Sequence, residues 1–164
     1  MKAERRGFQP IGREQLLQEF VHDSYKAGRK LREPARCPDC GATFQGGRWI
    51  WGTAPAGAHE EPCPACHRIH DQFPAGFVTL KGAYLQGHRD EILHLIRNHE
   101  AKEKAEHPLQ RIMAIEDRPD GMVVTTTDPH LARDIAQALY HAYKGELEFH
   151  YNKEENLLRA AWSR

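Results

Sequence analysis

Cys37-Pro38-Asp39-Cys40-Gly41 and Cys63-Pro64-Ala65-Cys66-His67 contain every cysteine of the chain, in two matching C-P-x-C turns with 22 residues between Cys40 and Cys63. Each turn brings two sulfurs to one spot, and the stretch between them is long enough for a small hairpin excursion. Four thiolates brought together close a tetrahedron around a divalent ion, most simply Zn²⁺, and leave no coordination position open. Soft sulfur donors select a metal of that kind, and such a saturated, redox-inert site holds a fold together. The spacing predicts a four-cysteine zinc ribbon with Cys37, Cys40, Cys63 and Cys66 as ligands.

Other uses of these cysteines fit less well. A thioredoxin-type dithiol sits where a strand opens a helix in a βαβ unit, a context that neither pair has in the sequence. Cys63-Pro64-Ala65-Cys66-His67 matches the covalent haem signature C-x-x-C-H. Haem attachment needs an oxidising, exported setting, and it would orphan Cys37 and Cys40. Pro62-Cys63-Pro64-Ala65-Cys66 imitates half of a zinc deaminase site, but His59-Glu60 lies too close to supply the other half. His59, His67 and His70 crowd the second turn. The four-sulfur solution needs none of them, so they are read as surface groups or as partners of the ligands.

Outward from the turns, the chain divides into a tail and amphipathic helix over 1–36, the zinc-ribbon module over 37–83 and an α+β domain over 84–164. Leu16, Leu17, Phe20, Val21 and Tyr25 recur at helical spacing before the first turn. Lys26, Arg29, Lys30 and Arg32 crowd the end of that helix, either as a solvated face or as a phosphate-facing patch. Gly41 stands where the first turn needs a positive φ. Phe44 to Trp51 reads as a short strand and turn, residues 52–58 as a loop, and Phe73 to Leu80 as a strand entering the next unit. A long helix is expected from Tyr84 to Glu106, ended by Pro108. Thr125-Thr126-Thr127-Asp128-Pro129 reads as a strand running into a helix with Asp128 as N-cap and Pro129 at the first helical position. The alternation of Leu147, Phe149 and Tyr151, then Leu157 to Trp162, gives two more strands. The predicted fold is α+β: the zinc ribbon attached to an antiparallel sheet with helices on one face, in the order α–zinc ribbon–α-β-β-α-β-β.

The 164 residues include 23 basic and 23 acidic side chains, and 40% of the residues are hydrophobic. That composition supports a packed core and argues against tight, non-specific nucleic-acid binding. A mild asymmetry remains, with 12 Lys/Arg against 9 Asp/Glu in residues 1–83 and 11 against 14 in 84–164. The N-terminus carries no secretory signal and no apolar run approaches a membrane span, so a cytoplasmic protein with reduced cysteines is expected. No histidine falls in an H-E-x-x-H arrangement, and no glycine-rich phosphate loop follows a strand. Arg48, Trp49, Trp51 and Arg68 carry the chemistry that stacks on bases and clamps phosphates. A second role stands beside it for the tryptophans, packing the ribbon against the helices.

Two C-P-x-C turns followed by Val123–Asp128, a helix and Tyr143-Lys144-Gly145-Glu146-Leu147-Glu148-Phe149 resemble the large-ribosomal-subunit export adaptor family of archaea and eukaryotes, first named for nonsense-mediated decay. The chain is more closely similar to a family of short bacterial zinc-knuckle proteins. That likeness runs through C-P-x-C-G, G-R-W-x-W, C-P-A-C-x-R-I and H-R-x-E-I…I-R-N, from about Tyr25 to Trp162. The resemblance implies zinc held by the four cysteines and association with a ribosomal subunit or structured RNA. The additional C-x-x-C pairs of the export adaptors are missing from this chain. The expectation is a non-enzymatic zinc protein that meets RNA or the ribosome, under stress among other conditions. The alternatives are a protein–protein adaptor and, behind it, a zinc hydrolase or deaminase.

Overall fold

The computed structural model describes residues 7–13, 17 and 31–164. The helix expected before Leu31, with Lys26, Arg29 and Lys30, lies outside the described residues. After β1 (Gln9–Ile11), the strands β2 (Ala35–Arg36), β3 (Thr43–Gln45), β4 (Arg48–Ile50) and β5 (His59–Glu60) form a small sheet in the order β4-β3-β2-β5. The larger sheet has the order β1-β9-β10-β6-β8-β7, built from β6 (Gly76–Lys81), β7 (Ile112–Arg118), β8 (Gly121–Thr126), β9 (Glu146–Asn152) and β10 (Leu157–Ser163). β7–β8 and β9–β10 are the expected antiparallel hairpins. β10 runs parallel to β6, so the sheet is antiparallel-rich rather than purely antiparallel.

The place of β6 differs from the expected segment boundary at 83/84. Val78 and Leu80 are fully buried, and the strand lies between β10 and β8 in the middle of the larger sheet. An apolar strand with its alternate residues under helices is a core strand, and it can only be one by joining the sheet that owns the core.

Among the described residues four helices accompany the sheets: α1 (Pro64–Asp71), α2 (Ala83–Gly87), α3 (Arg89–Glu106) and α4 (Pro129–Tyr143). The single helix expected over 84–106 is two, broken at His88 with φ −130°. Gly87 weakens the helix at that point. The His88 ring stacks on Tyr84 at 3.8 Å, and its Nδ1 meets the Tyr84 carbonyl at 3.0 Å.

α4 begins as its sequence dictates. The Asp128 carboxylate accepts the His130 amide at 2.7 Å, and Pro129 occupies the first turn, where no amide partner is needed. Leu131, Ile135 and Leu139 then return at helical spacing and are fully buried. They pack with Leu85, Ile92 and Ile96 onto Val78, Met122, Val124, Phe149, Leu158 and Trp162 of the sheet. Trp162 Nε1 donates to the Lys144 carbonyl at 2.6 Å, which ties the helix end to the last strand. A Cβ at Gly76 would collide with Thr126 Oγ1 and the Ala132 methyl, so glycine is what lets α4 lie this close to β6.

The opposite face of the larger sheet carries Phe77, Thr79, Val123, Thr125 and Arg159, which line an open cavity of about 810 Å³. Among the described residues, no helix is long and apolar enough to cross a membrane.

Candidate metal centre

Each C-P-x-C turn has its own local cause. After β2 the chain reverses within a tight turn: the Cys37 amide donates to the Ala42 carbonyl at 2.8 Å and the Gly41 amide to the Cys37 carbonyl at 2.9 Å. Gly41 takes φ +81°, the left-handed conformation that the sequence called for. The second turn is a helix start, not a free knuckle. Cys63 is the N-cap of α1, its sulfur accepts the Cys66 amide at 3.4 Å, and Pro64 follows in the first turn. A thiolate caps a helix as a carboxylate does, and the helix dipole favours its charge. The sequence reading had no helix opening there. A βαβ unit is still absent, because β5 belongs to the small sheet and β6 to the large one.

The two turns place all four cysteine sulfurs within 4.8 Å of one another, with Cys40 and Cys63 3.8 Å apart and none in a disulfide. A tetrahedron with Zn–S bonds of about 2.3 Å has edges of about 3.8 Å. The donor set therefore fits a single metal ion of tetrahedral preference. Among the described residues the cluster is all sulfur: His59, His67 and His70 are exposed and outside it. His70 Nε2 instead lies 3.2 Å from Asp39 Oδ2, which links the two turns at the surface.

Arg111 is the member of the site that the sequence reading missed. Its Nη2 donates to Cys63 Sγ at 3.0 Å and to Cys40 Sγ at 3.5 Å, its Nη1 to Cys66 Sγ at 3.4 Å, and its Nε to the Pro108 carbonyl at 2.9 Å. The side chain is only 8% exposed. Its backbone amide is also held, by Thr127 Oγ1 at 2.9 Å. No motif marks Arg111. The signal available beforehand was electrostatic: four thiolates around a dication leave a buried charge of about −2, which demands a cation and N–H donors nearby.

The charges in the site follow from that arrangement. Burial pushes the Cys66 thiol up, to about 11, against the pull of Arg111. Burial drives the Cys63 thiol further up, opposed by the Cys66 amide and by Arg111. Burial acts on Cys37 too, but the amides of Cys63, Cys40 and Asp39 outweigh it and bring that thiol down to about 7. The Cys63 amide reaches Cys37 Sγ at 3.3 Å. Burial disfavours the Arg111 charge, yet the sulfurs of Cys66, Cys63 and Cys40 outweigh it and hold the guanidinium above its ordinary range.

The predicted contact residues separate. Arg32 and Arg48 are exposed. Trp49 is half-buried, tilted against Phe44 at 5.4 Å and packed on the cysteine cluster. Trp51 donates its Nε1 hydrogen to the Lys104 carbonyl at 2.6 Å, fastening the ribbon to the end of α3. Arg68 does not join a displayed patch: it is 2% exposed and donates to the Phe73 carbonyl at 3.1 Å. Its place on the buried side of a short amphipathic helix, just before the chain turns back toward β6, explains the difference. No protein-family model, curated protein or solved structure matches the chain.

Proposed function

We propose that this is a zinc-stabilised, non-enzymatic protein that binds unpaired bases of a structured RNA, the ribosome's among them, on the open face of its larger sheet. Zinc is favoured by four soft donors at tetrahedral spacing, and the ribbon needs it. Its core has five buried residues, three of them cysteines, which is too little apolar surface to fold unaided. Saturation supports a structural rather than catalytic metal: four sulfurs fill a tetrahedral ion, and Arg111 occupies the approach on its side.

The observation that carries the RNA reading is the pairing of Arg159 with two aromatic rings. Its guanidinium lies 5.6 Å from the Phe77 ring and 4.6 Å from the Phe8 ring, on a sheet face that no helix among the described residues covers. Aromatic and guanidinium planes on an open sheet are the chemistry on which unstacked bases settle. Glu116 at that face pairs with Arg118 at 2.8 Å, whereas Glu146 and Glu148 stand with Arg159 and Lys81 toward its other end. Arg32 and Arg48, exposed on the ribbon, supply further phosphate contacts.

Fluorescence anisotropy with a ribosomal RNA hairpin and with a blunt duplex of the same length tests this. Phe77→Ala and Arg159→Ala should each weaken hairpin binding about tenfold, the worth of one stacked base. Equal affinity for the duplex, or no effect of either substitution, contradicts it. A protein-adaptor role has its own support in Ile69 and Phe73, 40% and 49% exposed beside the same cavity. Capture of one stoichiometric protein without nucleic acid, abolished by Phe73→Ser, is the result that favours that role.

A further inference from the structure

We propose that His99, Glu103 and Asp134 form a second divalent-cation site, of nitrogen and oxygen donors, between α3 and α4. One ring nitrogen of His99 and one carboxylate oxygen each from Glu103 and Asp134 all lie within 4.8 Å of one another. His99 and Glu103 stand four residues apart on α3, so both project from one face, one turn apart. α4 packs against α3 and brings Asp134 to the same point. His130 stands one turn before Asp134 on α4 and acts electrostatically on its carboxylate. α3 thus contributes a histidine and a carboxylate at i,i+4 spacing, and α4 a second carboxylate.

A second observation points to a ligand. His99 Nε2 is buried and has no hydrogen-bond partner in the structure. A buried imidazole nitrogen without a partner is disfavoured, so it is a group that an ion would satisfy. The carboxylates lead the same way. Two half-buried carboxylates this close repel unless a proton or a cation lies between them, and the imidazole beside them adds the nitrogen donor of a mixed metal site. Imidazole with carboxylate suits Zn²⁺, Co²⁺, Mn²⁺ or Fe²⁺, and is harder than the all-sulfur set. His99 also borders an open groove with Glu91, His94, Asn98, Lys102 and Tyr143.

The test starts from full-length protein carrying one equivalent of zinc, which the thiolates take first. Calorimetric titration with further Zn²⁺ should show one more equivalent bound. His99→Asn and Asp134→Asn, close in shape to the residues they replace, should each weaken that step tenfold or more while the circular dichroism stays unchanged. Cadmium-113 in the second site of the unaltered protein should couple to the ¹⁵N-labelled ring of His99, a readout that requires no variant. No second equivalent at millimolar zinc, unchanged uptake by both variants, or a second cadmium signal without coupling to His99 overturns the proposal. None of these outcomes touches the thiolate site or RNA binding.

Discussion

The Arg111 guanidinium donates to Cys63 Sγ at 3.0 Å across a sequence separation of 48 residues. That contact joins the metal ribbon to the strand that begins at Ile112, and it makes the two parts of the molecule one structure. Arg111→Ala leaves the sulfur cluster without its cation. The loss should weaken zinc binding about 10–100-fold, as for other groups that orient metal ligands. It should also destabilise the fold by roughly 3 kcal/mol, as when one partner of a buried charge pair is removed. Arg111→Lys should recover little, because an ammonium cannot reach three sulfurs and the Pro108 carbonyl from one plane. Chelator competition and urea unfolding measure the two effects separately.

Zinc uptake should release protons. Cys63 and Cys66 have thiols pushed above their ordinary range in the metal-free protein, Cys66 to about 11, so both are neutral at pH 7. Thiolates bind the ion, so at least about two protons must leave. The sign follows directly: zinc affinity rises with pH through the neutral range and falls on acidification. Calorimetry in two buffers of different ionisation heat counts the protons, and a proton count of zero contradicts the burial of these thiols.

Removing zinc should melt the ribbon and spare the larger sheet. The ribbon's core is five small buried residues, whereas the sheet and helices share a cluster that includes Trp162, Phe149 and Leu80. Hydrogen exchange after chelation should be fast over β2 to β5 and remain slow in β6, β8 and β10. Global loss of protection would mean that the ribbon supports the sheet rather than resting on it.

Trp51→Phe keeps an aromatic ring and deletes the Nε1 donor to the Lys104 carbonyl. A cost of about 1 kcal/mol in urea unfolding is expected for one such hydrogen bond. Trp49→Phe, at a half-buried residue that packs on Phe44 and the cysteines, removes part of the indole and should cost about 1–2 kcal/mol.

Local signals in the sequence carried a long way. The two C-P-x-C turns, the positive φ at Gly41, the Asp128-Pro129 helix start and the alternation in β9 and β10 each depend on neighbours within a few residues. What escaped depends on distant partners. β6 has the same apolar pattern whether it edges a ribbon or centres a sheet, and its parallel partner β10 comes from the far end of the chain. Arg68 and Arg48 look alike as sequence, and only packing sends one inward. Arg111 carries no motif, since its role comes from charge supplied by residues 45 to 71 positions away. Cys63 as a helix cap was legible in the Pro64 that follows it, but a cysteine is seldom read as a cap.

The claim that four thiolates and no other group hold the structural ion is tested most directly by cadmium-113 NMR of protein loaded with one equivalent of cadmium. One resonance at the all-sulfur end of the chemical-shift range, lost in Cys63→Ser, is the result expected of Cys37, Cys40, Cys63 and Cys66 acting together. A resonance in the range of mixed nitrogen or oxygen coordination, or one that survives Cys63→Ser unshifted, would contradict it.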